Sequence, residues 1–269
     1  MAFAALSIAA PLLPDSTATR YLAAHRRFLD HFAARHRLAD GSFRNGLFSG
    51  RDGESSYSVA TGAQVFSLVA FYRASGESEY LRRAEEAGRW LLQERTPWGE
   101  ILFHPHDGGV VMTLPSTQFH DAYYILEGLA CLRRATGDAS LRDEIGAAFR
   151  AYVEGPEGLL AAMPEGAWPE YHGERRLSAK SNAMVGLLLE MTRAVREPEH
   201  EPERGRLSDS QRVERLIANG MAALLDPARA REREILVLPY RGGGREAIVA
   251  TSFAGLSYAQ MVRAGAAYE

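Results

Sequence analysis

Hydrophobic positions along the chain recur with the period of an α-helix, and the same arrangement returns further on. A mostly apolar segment, Val65 to Ala74, leads to Gly76, and a second one, Ile125 to Ala135, leads to Gly137. The two glycines are 61 positions apart. Each unit therefore predicts an apolar helix that ends at a glycine, the residue that adopts a left-handed C-terminal turn at least cost, and a second helix after it.

The second helix of each unit is amphipathic. In the first unit Leu81, Ala84, Gly88, Leu91 and Leu92 fall at helical spacing and leave an arginine- and glutamate-rich face opposite them. Such a helix buries one stripe only, whereas an apolar helix is covered on most sides. The pattern therefore predicts hairpins of an inner, apolar helix and an outer, amphipathic helix.

The rest of the chain continues the pattern with a third hairpin and with one unpaired helix near each end. A third inner helix begins at Ser181 and its outer helix is expected over Asp209 to Leu225, after a loop rich in proline and glutamate. A fourth inner helix, Thr251 to Gly265, has no outer partner, and Tyr21 to Arg37 resembles an outer helix without an inner one. The two unpaired helices together would make a fourth hairpin.

We therefore expect an all-α protein of one domain, residues 1–269, with residues 1–16 as an N-terminal arm. Its architecture would be an α/α barrel, or toroid, of about four helical hairpins with the termini paired. An open solenoid segment is the alternative, and it would expose apolar faces at both ends.

Short glycine-rich segments that resemble strands lie between the hairpins. They are Gly41 to Gly53, Trp98 to Leu114, Leu160 to Arg176 and Ile235 to Val249. Each precedes an inner helix, so short β-hairpins are expected to gather at the rim of the ring where the inner helices begin. Helix N-termini expose free N–H groups and the positive end of the helix dipole, which favour a polar or anionic ligand.

Composition narrows the function classes. The chain is 46% hydrophobic and 24% charged with a net charge of -3, as in ordinary soluble proteins, and it lacks the basic surface that nucleic acid requires. The apolar start, Met1 to Pro14, has no basic flank and is too short to cross a bilayer, so we expect a cytoplasmic protein without a membrane partner. The single Cys131 excludes an internal disulfide and a multi-cysteine metal site.

The sharpest candidate for chemistry is the pair His120 and Asp121, just before the second inner helix. A histidine there can act as a general acid or base near neutral pH. The alternative is that both are ordinary residues of a helix N-terminus, where Asp121 complements the dipole.

A second candidate is the loop that holds Trp168, Glu170 and Tyr171. A carboxylate beside a phenol can exchange protons, and the tryptophan can stack on a sugar ring. The alternative is a surface hairpin with an aromatic anchor. The residues expected to bind substrate at the same rim are Arg44, Tyr57, His104, His106, Tyr124, Trp168, Lys180 and Asn182.

Lys180 is the only lysine among 31 basic residues, a bias that codon usage explains. Its place at the start of an inner helix makes it a candidate for holding an acidic group. His104, His106 and Asp107 with His120 are residue types that bind metals, but no spacing among them is diagnostic of a metal site. The chain has no phosphate-binding loop or dinucleotide motif, so we expect neither metal nor cofactor.

The turn from Arg73 to Leu81, of the form Arg-Ala-Ser-Gly-Glu-x-x-Tyr-Leu, returns as Arg-Ala-Thr-Gly-Asp within Tyr124 to Tyr152. These segments resemble the α/α-toroid group, which includes six-hairpin glycosidases, polysaccharide lyases, sugar epimerases and terpene cyclases. Within it, the toroid domain of D-glucuronyl epimerases is similar to Ser58–Leu81 and to the loop of Trp168 before Asn182. That resemblance implies Tyr171 and Glu170 as the acid and base.

The leading hypothesis is an enzyme that acts on a sugar acid or another polar ring by cofactor-free acid/base chemistry, as an isomerase, epimerase or lyase. Its partner would be a small molecule, and a homodimer stays open if a second copy completes the ring. One alternative is a cyclase of an isoprenoid or polyketide-like substrate, with a cavity of aromatic residues (Phe66, Tyr123, Tyr124, Phe253 and Tyr258). The other is a non-catalytic helical binding protein, whose lumen would be filled by side chains.

Overall fold

The computed structural model describes the N-terminal half of the chain most fully. The described residues are 2–44, 56–93, 95, 99, 101–103, 110–111, 122–156, 186–188, 191 and 211. They are mostly helical, which confirms the all-α prediction for this part of the chain. No helix among them is both long enough and apolar enough to cross a membrane.

Residues 2–156, as far as they are described, form six α-helices and two short strands. The helices are α1 (Ala2–Ala9), α2 (Asp15–His36), α3 (Ser58–Ser75), α4 (Ser78–Gln93), α5 (Ala122–Ala135) and α6 (Ala139–Glu154). A 3₁₀ turn, Ala10–Leu12, links the first two, and strands β1 (Leu102–Phe103) and β2 (Val110–Val111) pair antiparallel. Of the predicted third hairpin only residues 186–188, 191 and 211 are described, and of the predicted fourth only Tyr21 to Arg37; all four predicted glycine-rich segments lie wholly or mostly outside the described residues.

The distinction between outer and inner helices is visible in burial. On α4 the buried residues include Tyr80, Ala84, Gly88 and Leu91, one per turn, while Arg82 and Arg89 are exposed. Tyr80 takes the first place in this stripe and Leu81, predicted there, is half-buried, because the stripe is rotated by one residue in the first turn. Outer helices thus bury one face against their hairpin partner.

The inner helices α3 and α5 are buried on most sides and touch each other near their N-terminal ends. A Cβ atom added to Gly62 would lie 2.5 Å from Cα of Ile125, and one added to Gly128 would lie 2.2 Å from the carbonyl oxygen of Gly62. Both distances are far inside van der Waals contact, so only glycine permits this approach. The two inner helices therefore start side by side.

The two hairpins turn in different ways. Gly76 ends α3 with φ of 75°, the predicted left-handed turn, and its N–H donates to the Tyr72 carbonyl (2.7 Å). Gly137 is outside the left-handed region, so the same prediction there is wrong. After α5 the side chain of Thr136 accepts a bond from the N–H of Asp138 (3.1 Å), and Asp138 accepts one from Leu141 (3.1 Å). These two side-chain caps shape the turn in place of a left-handed glycine.

The N-terminal segment, expected as an arm on the domain, is helical and packs against α2 and α3, with Phe3 and Ile8 exposed. Phe3 stacks on Phe28 with ring centroids 4.4 Å apart, and Ser7 bonds to His25, so α1 runs antiparallel to α2. The expected outer helix over Tyr21 to Arg37 is observed as part of α2. The helix starts earlier, at Asp15, because Pro14 sets its first turn and accepts from the N–H groups that follow.

Adjacent outer helices are joined by ion pairs in the same relative register. Arg26 of α2 pairs with Glu77, just before α4, and Arg89 of α4 pairs with Asp138, just before α6 (2.5 Å). Further along, Arg95 lies 3.9 Å from Glu144. From one ion pair to the next, the paired residues lie further towards the C-terminus in both helices. Adjacent outer helices therefore run parallel. Successive hairpins therefore stack in the same orientation.

The contacts within the chain divide it into two compact units. The first comprises Met1–Pro97, Ile101–Val111 and Tyr124–Ala148 and contains the helix contacts given above. The second comprises Trp98–Glu100, Met112–Tyr123 and Phe149–Glu269. Its described core residues are Ala122, Tyr123, Phe149, Ala151, Tyr152, Val153, Leu187, Leu188 and Met191.

Candidate functional site

The N-terminal end of α3 is held by the chain that follows α2. Phe43 forms a bridge with Arg37, and Arg44 forms one with Ser56, both antiparallel. The N–H of Tyr57, at the N-cap position of α3, donates to the Phe43 carbonyl (3.0 Å). These pairings bring Arg44 and Tyr57 to the start of an inner helix, the place that the sequence predicted for them.

Buried hydroxyl groups fix this arrangement. Thr61 Oγ1 accepts a hydrogen bond from the N–H of Phe43 (3.0 Å) and donates one to the Tyr57 carbonyl (2.9 Å). Ser42 Oγ donates to the Asp40 carboxylate (2.6 Å) and lies 2.9 Å from Ser56 Oγ. The backbone that carries Arg44 is thus rigid, as a binding site requires.

Three side-chain nitrogens near this helix start are buried without a hydrogen-bond partner among the described residues. They are Nε of Arg44, Nδ1 of His36 and Nε of Arg37, whose Nη2 pairs with Glu86. Arg44 and His36 are neighbours, because the N–H of Arg44 donates to the His36 carbonyl (2.9 Å). The His36 ring lies tilted against Phe32 (4.5 Å between centroids), which also contacts buried Phe43 (5.9 Å). A buried polar atom without a partner is uncommon and invites a ligand or water.

The electrostatics of this corner are positive. Burial lowers the pKa of His36 below its ordinary value, and the charge of Arg44, followed by those of Arg35 and His31, lowers it further. Cations crowd the imidazole, so its charged form is disfavoured. An anion bound there would offset the repulsion between these positive charges.

Three of the predicted site residues fall in the described part of the chain. Arg44 and Tyr57 lie together as stated, and Tyr124 is half-buried in the first turn of α5, where its carbonyl faces Gly62. The remaining predicted residues lie outside the described residues: His104, His106, His120, Asp121, Trp168, Glu170, Tyr171, Lys180 and Asn182. Among the aromatic residues of the cyclase alternative, Tyr123 is buried and Phe66 is half-buried.

Sequence reasoning missed His36 and Thr61. A signal existed for His36, since it follows Phe32 at helical spacing and ends an otherwise basic helix. Thr61 gave none, because its role depends on the return of Phe43 to the start of α3. A hydroxyl within an apolar helix reads as an ordinary core position until its partner is known.

A second polar cluster, also missed, links α1, α2 and α3. His25 is fully buried, with Nδ1 2.6 Å from Ser7 Oγ and Nε2 2.8 Å from Ser67 Oγ. The edge of Phe71 meets the imidazole at 5.4 Å between centroids. Burial lowers the pKa of His25 to about 4, so the imidazole is neutral at pH 7 and donates to one hydroxyl while accepting from the other. Because Ser7 and Ser67 are also buried, the cluster joins helices and is closed to substrate.

A concave surface of about 680 Å³ lies between α2 and α4. Its charged side chains are paired with one another: Arg26 with Glu77, and Arg83 with Asp30 (3.2 Å) and Glu79. The hydrogen bond from Tyr80 to Asp30 (3.0 Å) adds to burial in raising the pKa of Tyr80 to about 12. Because these charges are paired within the protein, we interpret the groove as the line of contact between two outer helices.

Within the described residues, no group of histidine, cysteine, aspartate or glutamate side chains could hold a metal ion. Comparison with known proteins gives no match: no family model, no curated protein and no solved structure is similar to this chain. The chemistry of the site residues therefore carries the functional argument alone.

Proposed function

We propose that the chain is an enzyme of α/α-barrel architecture that binds a small, acidic ring compound where its inner helices begin. It acts on that substrate by cofactor-free acid/base chemistry, as an epimerase, isomerase or lyase. His120 and Tyr171 transfer protons to and from the substrate. Asp121 and Glu170 adjust the proton affinity of His120 and Tyr171, and Lys180 and Asn182 hold the acidic group.

One observation supports this proposal above the others. The inner helices α3 and α5 start side by side, through Gly62 and Gly128. In the proposal, the sequence segments that lead into inner helices, including the one with His120 and Asp121, meet where those helices begin. The parallel stacking of successive hairpins is shared by a toroid and by the open solenoid of the alternative, so it supports a repeated hairpin architecture.

Arg44 supports the acidic character of the substrate. Its Nε is buried without a partner among the described residues, next to His36. A guanidinium remains charged at any physiological pH and prefers a carboxylate or phosphate. A substrate carboxylate would supply that partner and would also acidify the adjacent C–H bond for the base.

The test is deuterium exchange. A base that removes the proton beside a carboxylate makes that position exchange with D₂O in either direction of an epimerisation, and a lyase would also release an unsaturated product. The protein is incubated with D-glucuronate and its C5 epimer L-iduronate in D₂O, and both sugars are followed by proton NMR. His120→Ala and Tyr171→Phe are each expected to slow exchange on the order of 100-fold, with far-UV circular dichroism unchanged.

His31→Ala is the matched control, because His31 is exposed on α2 and belongs to no proposed site. It is expected to exchange at the wild-type rate. Wild-type rates in both the His120 and Tyr171 variants, or the absence of exchange in the wild-type protein, would remove the proposal.

A further inference from the structure

A cationic corner lies where α2 ends and α3 begins. It consists of Arg44 and His36, backed by Phe32 and Phe43. Arg44 Nε and His36 Nδ1 are both buried and lack a hydrogen-bond partner among the described residues. The Arg44 N–H to His36 carbonyl bond, at 2.9 Å, keeps the two residues in fixed proximity.

Neighbouring acids do not neutralise the corner within the described part of the chain. Arg37 is paired with Glu86, and the Asp40 carboxylate accepts two hydrogen bonds from Ser42. No described carboxylate forms an ion pair with Arg44. Within the described residues, the charge of Arg44 therefore has no anionic partner.

The aromatic side chains strengthen the interaction that such a ligand would make. Phe43 is only 2% exposed and Phe32 packs against both Phe43 and the His36 ring. A charge-assisted hydrogen bond is stronger where apolar groups exclude water, and an unpaired donor there is correspondingly costly. Both effects favour an anionic oxygen at this position.

We propose that Arg44 and His36 form a carboxylate-binding subsite, in which Arg44 Nε–H and a protonated His36 Nδ1–H donate to the carboxylate oxygens. This inference deepens the proposed function and rests on it for the nature of the substrate: His36 joins Arg44 in holding the acidic group of a sugar acid. The backbone just before Arg44 is held by the bond from Phe43 N–H to Thr61 and by the bond from Ser42 to Asp40.

The experiment follows His36 by NMR in the full-length chain. Its ring resonances are titrated against pH alone and then with acetate, D-glucuronate or neutral D-glucose, and Kd is obtained from the shifts. Both carboxylates are expected to raise the pKa of His36, since an adjacent anion favours the charged imidazole, and glucose is expected to leave it unchanged.

Two arginine variants separate contact from general charge. Arg44→Gln is expected to weaken D-glucuronate binding at least tenfold, the scale of a lost charge-assisted bond. Arg35→Gln is the matched control, because Arg35 is exposed and its charge also acts on His36. It is expected to change Kd by less than about threefold, as a screened surface charge does. Circular dichroism checks that both variants are folded.

The subsite is refuted if neither carboxylate shifts His36, if glucose shifts it as much as glucuronate, or if Arg35→Gln weakens binding as much as Arg44→Gln. Deuterium exchange distinguishes this failure from that of the proposed function. Exchange at the wild-type rate in Arg44→Gln refutes the subsite alone. Binding that depends on Arg44, without exchange in the wild-type protein, refutes the enzymatic proposal alone.

Discussion

The buried His25 makes the stability of the fold depend on acid. Its folded pKa is lowered from 6.5 to about 4, while the unfolded chain has the ordinary value. Between these two pH values the unfolded chain binds a proton that the folded chain does not, so stability is complete above about pH 6.5 and declines as pH falls. At 1.36 kcal/mol per pKa unit the loss amounts to about 3 kcal/mol near pH 4.

Carboxylates titrate in part of the same range, so the prediction concerns a difference. His25→Gln retains hydrogen-bonding groups but cannot be protonated. Urea unfolding of both proteins at constant ionic strength, from pH 7 down to pH 4.5, gives each free energy of unfolding. We expect the stability advantage of the wild type to shrink by about 2 kcal/mol over this range.

Ser67→Ala separates titration from hydrogen bonding. It removes one partner of the imidazole but leaves the histidine, so it is expected to cost about 1 kcal/mol at pH 7 while His25 still titrates. If the difference between wild type and His25→Gln stays constant with pH, His25 is not held neutral in the folded protein. The reasoning from burial to acid sensitivity would then be wrong.

Three further predictions concern glycines and ion pairs. Gly76→Ala is expected to lower the free energy of unfolding by about 1 kcal/mol, because Gly76 has a left-handed φ of 75°. Gly137→Ala is expected to leave the free energy of unfolding unchanged or to raise it slightly, because no atom lies within 4 Å of the added Cβ. Equal losses for the two variants in urea unfolding would contradict this prediction. Gly128→Ala is expected to cost about 3 kcal/mol or more, since its Cβ would overlap a neighbouring backbone, and a wild-type melting temperature would show that the inner helices do not touch there. Arg150 and Glu197 occupy the repeat positions of the two observed arginine–acid pairs, and a double-mutant cycle is expected to find a coupling of about 0.5 kcal/mol, with zero coupling excluding the pair.

The helices were predictable because a helix that buries one face has apolar residues at regular helical spacing along the sequence. The stripe of α4 and the apolar run of α3 follow from that rule, as does the turn at Gly76. The turn at Gly137 was not predictable in the same way. Its course depends on the hydrogen bonds of Thr136 and Asp138, and the same sequence pattern is compatible with either turn.

The candidate site was predictable to a lesser extent. Arg44 and Tyr57 were placed at the start of an inner helix because they flank a glycine-rich segment before an apolar run. His36 and Thr61 join them through contacts of 8 and 18 residues' separation along the chain. No period encodes such contacts, because they depend on how the chain returns from α2 to α3. The hydrophobic pattern of the sequence therefore does not predict the tertiary contacts of single polar residues.

The turn sequence that carries the resemblance to toroid enzymes has a structural role in this protein. Its acidic residue, Glu77 in one hairpin and Asp138 in the next, pairs with an arginine of the preceding outer helix, Arg26 or Arg89. Selection for that ion pair alone would produce the repeated Gly-Glu and Gly-Asp turns. The resemblance in these turns is thus explained by the way hairpins stack, and it carries no information about the substrate. Evidence on substrate has to come from the opposite ends of the hairpins, where Arg44 lies.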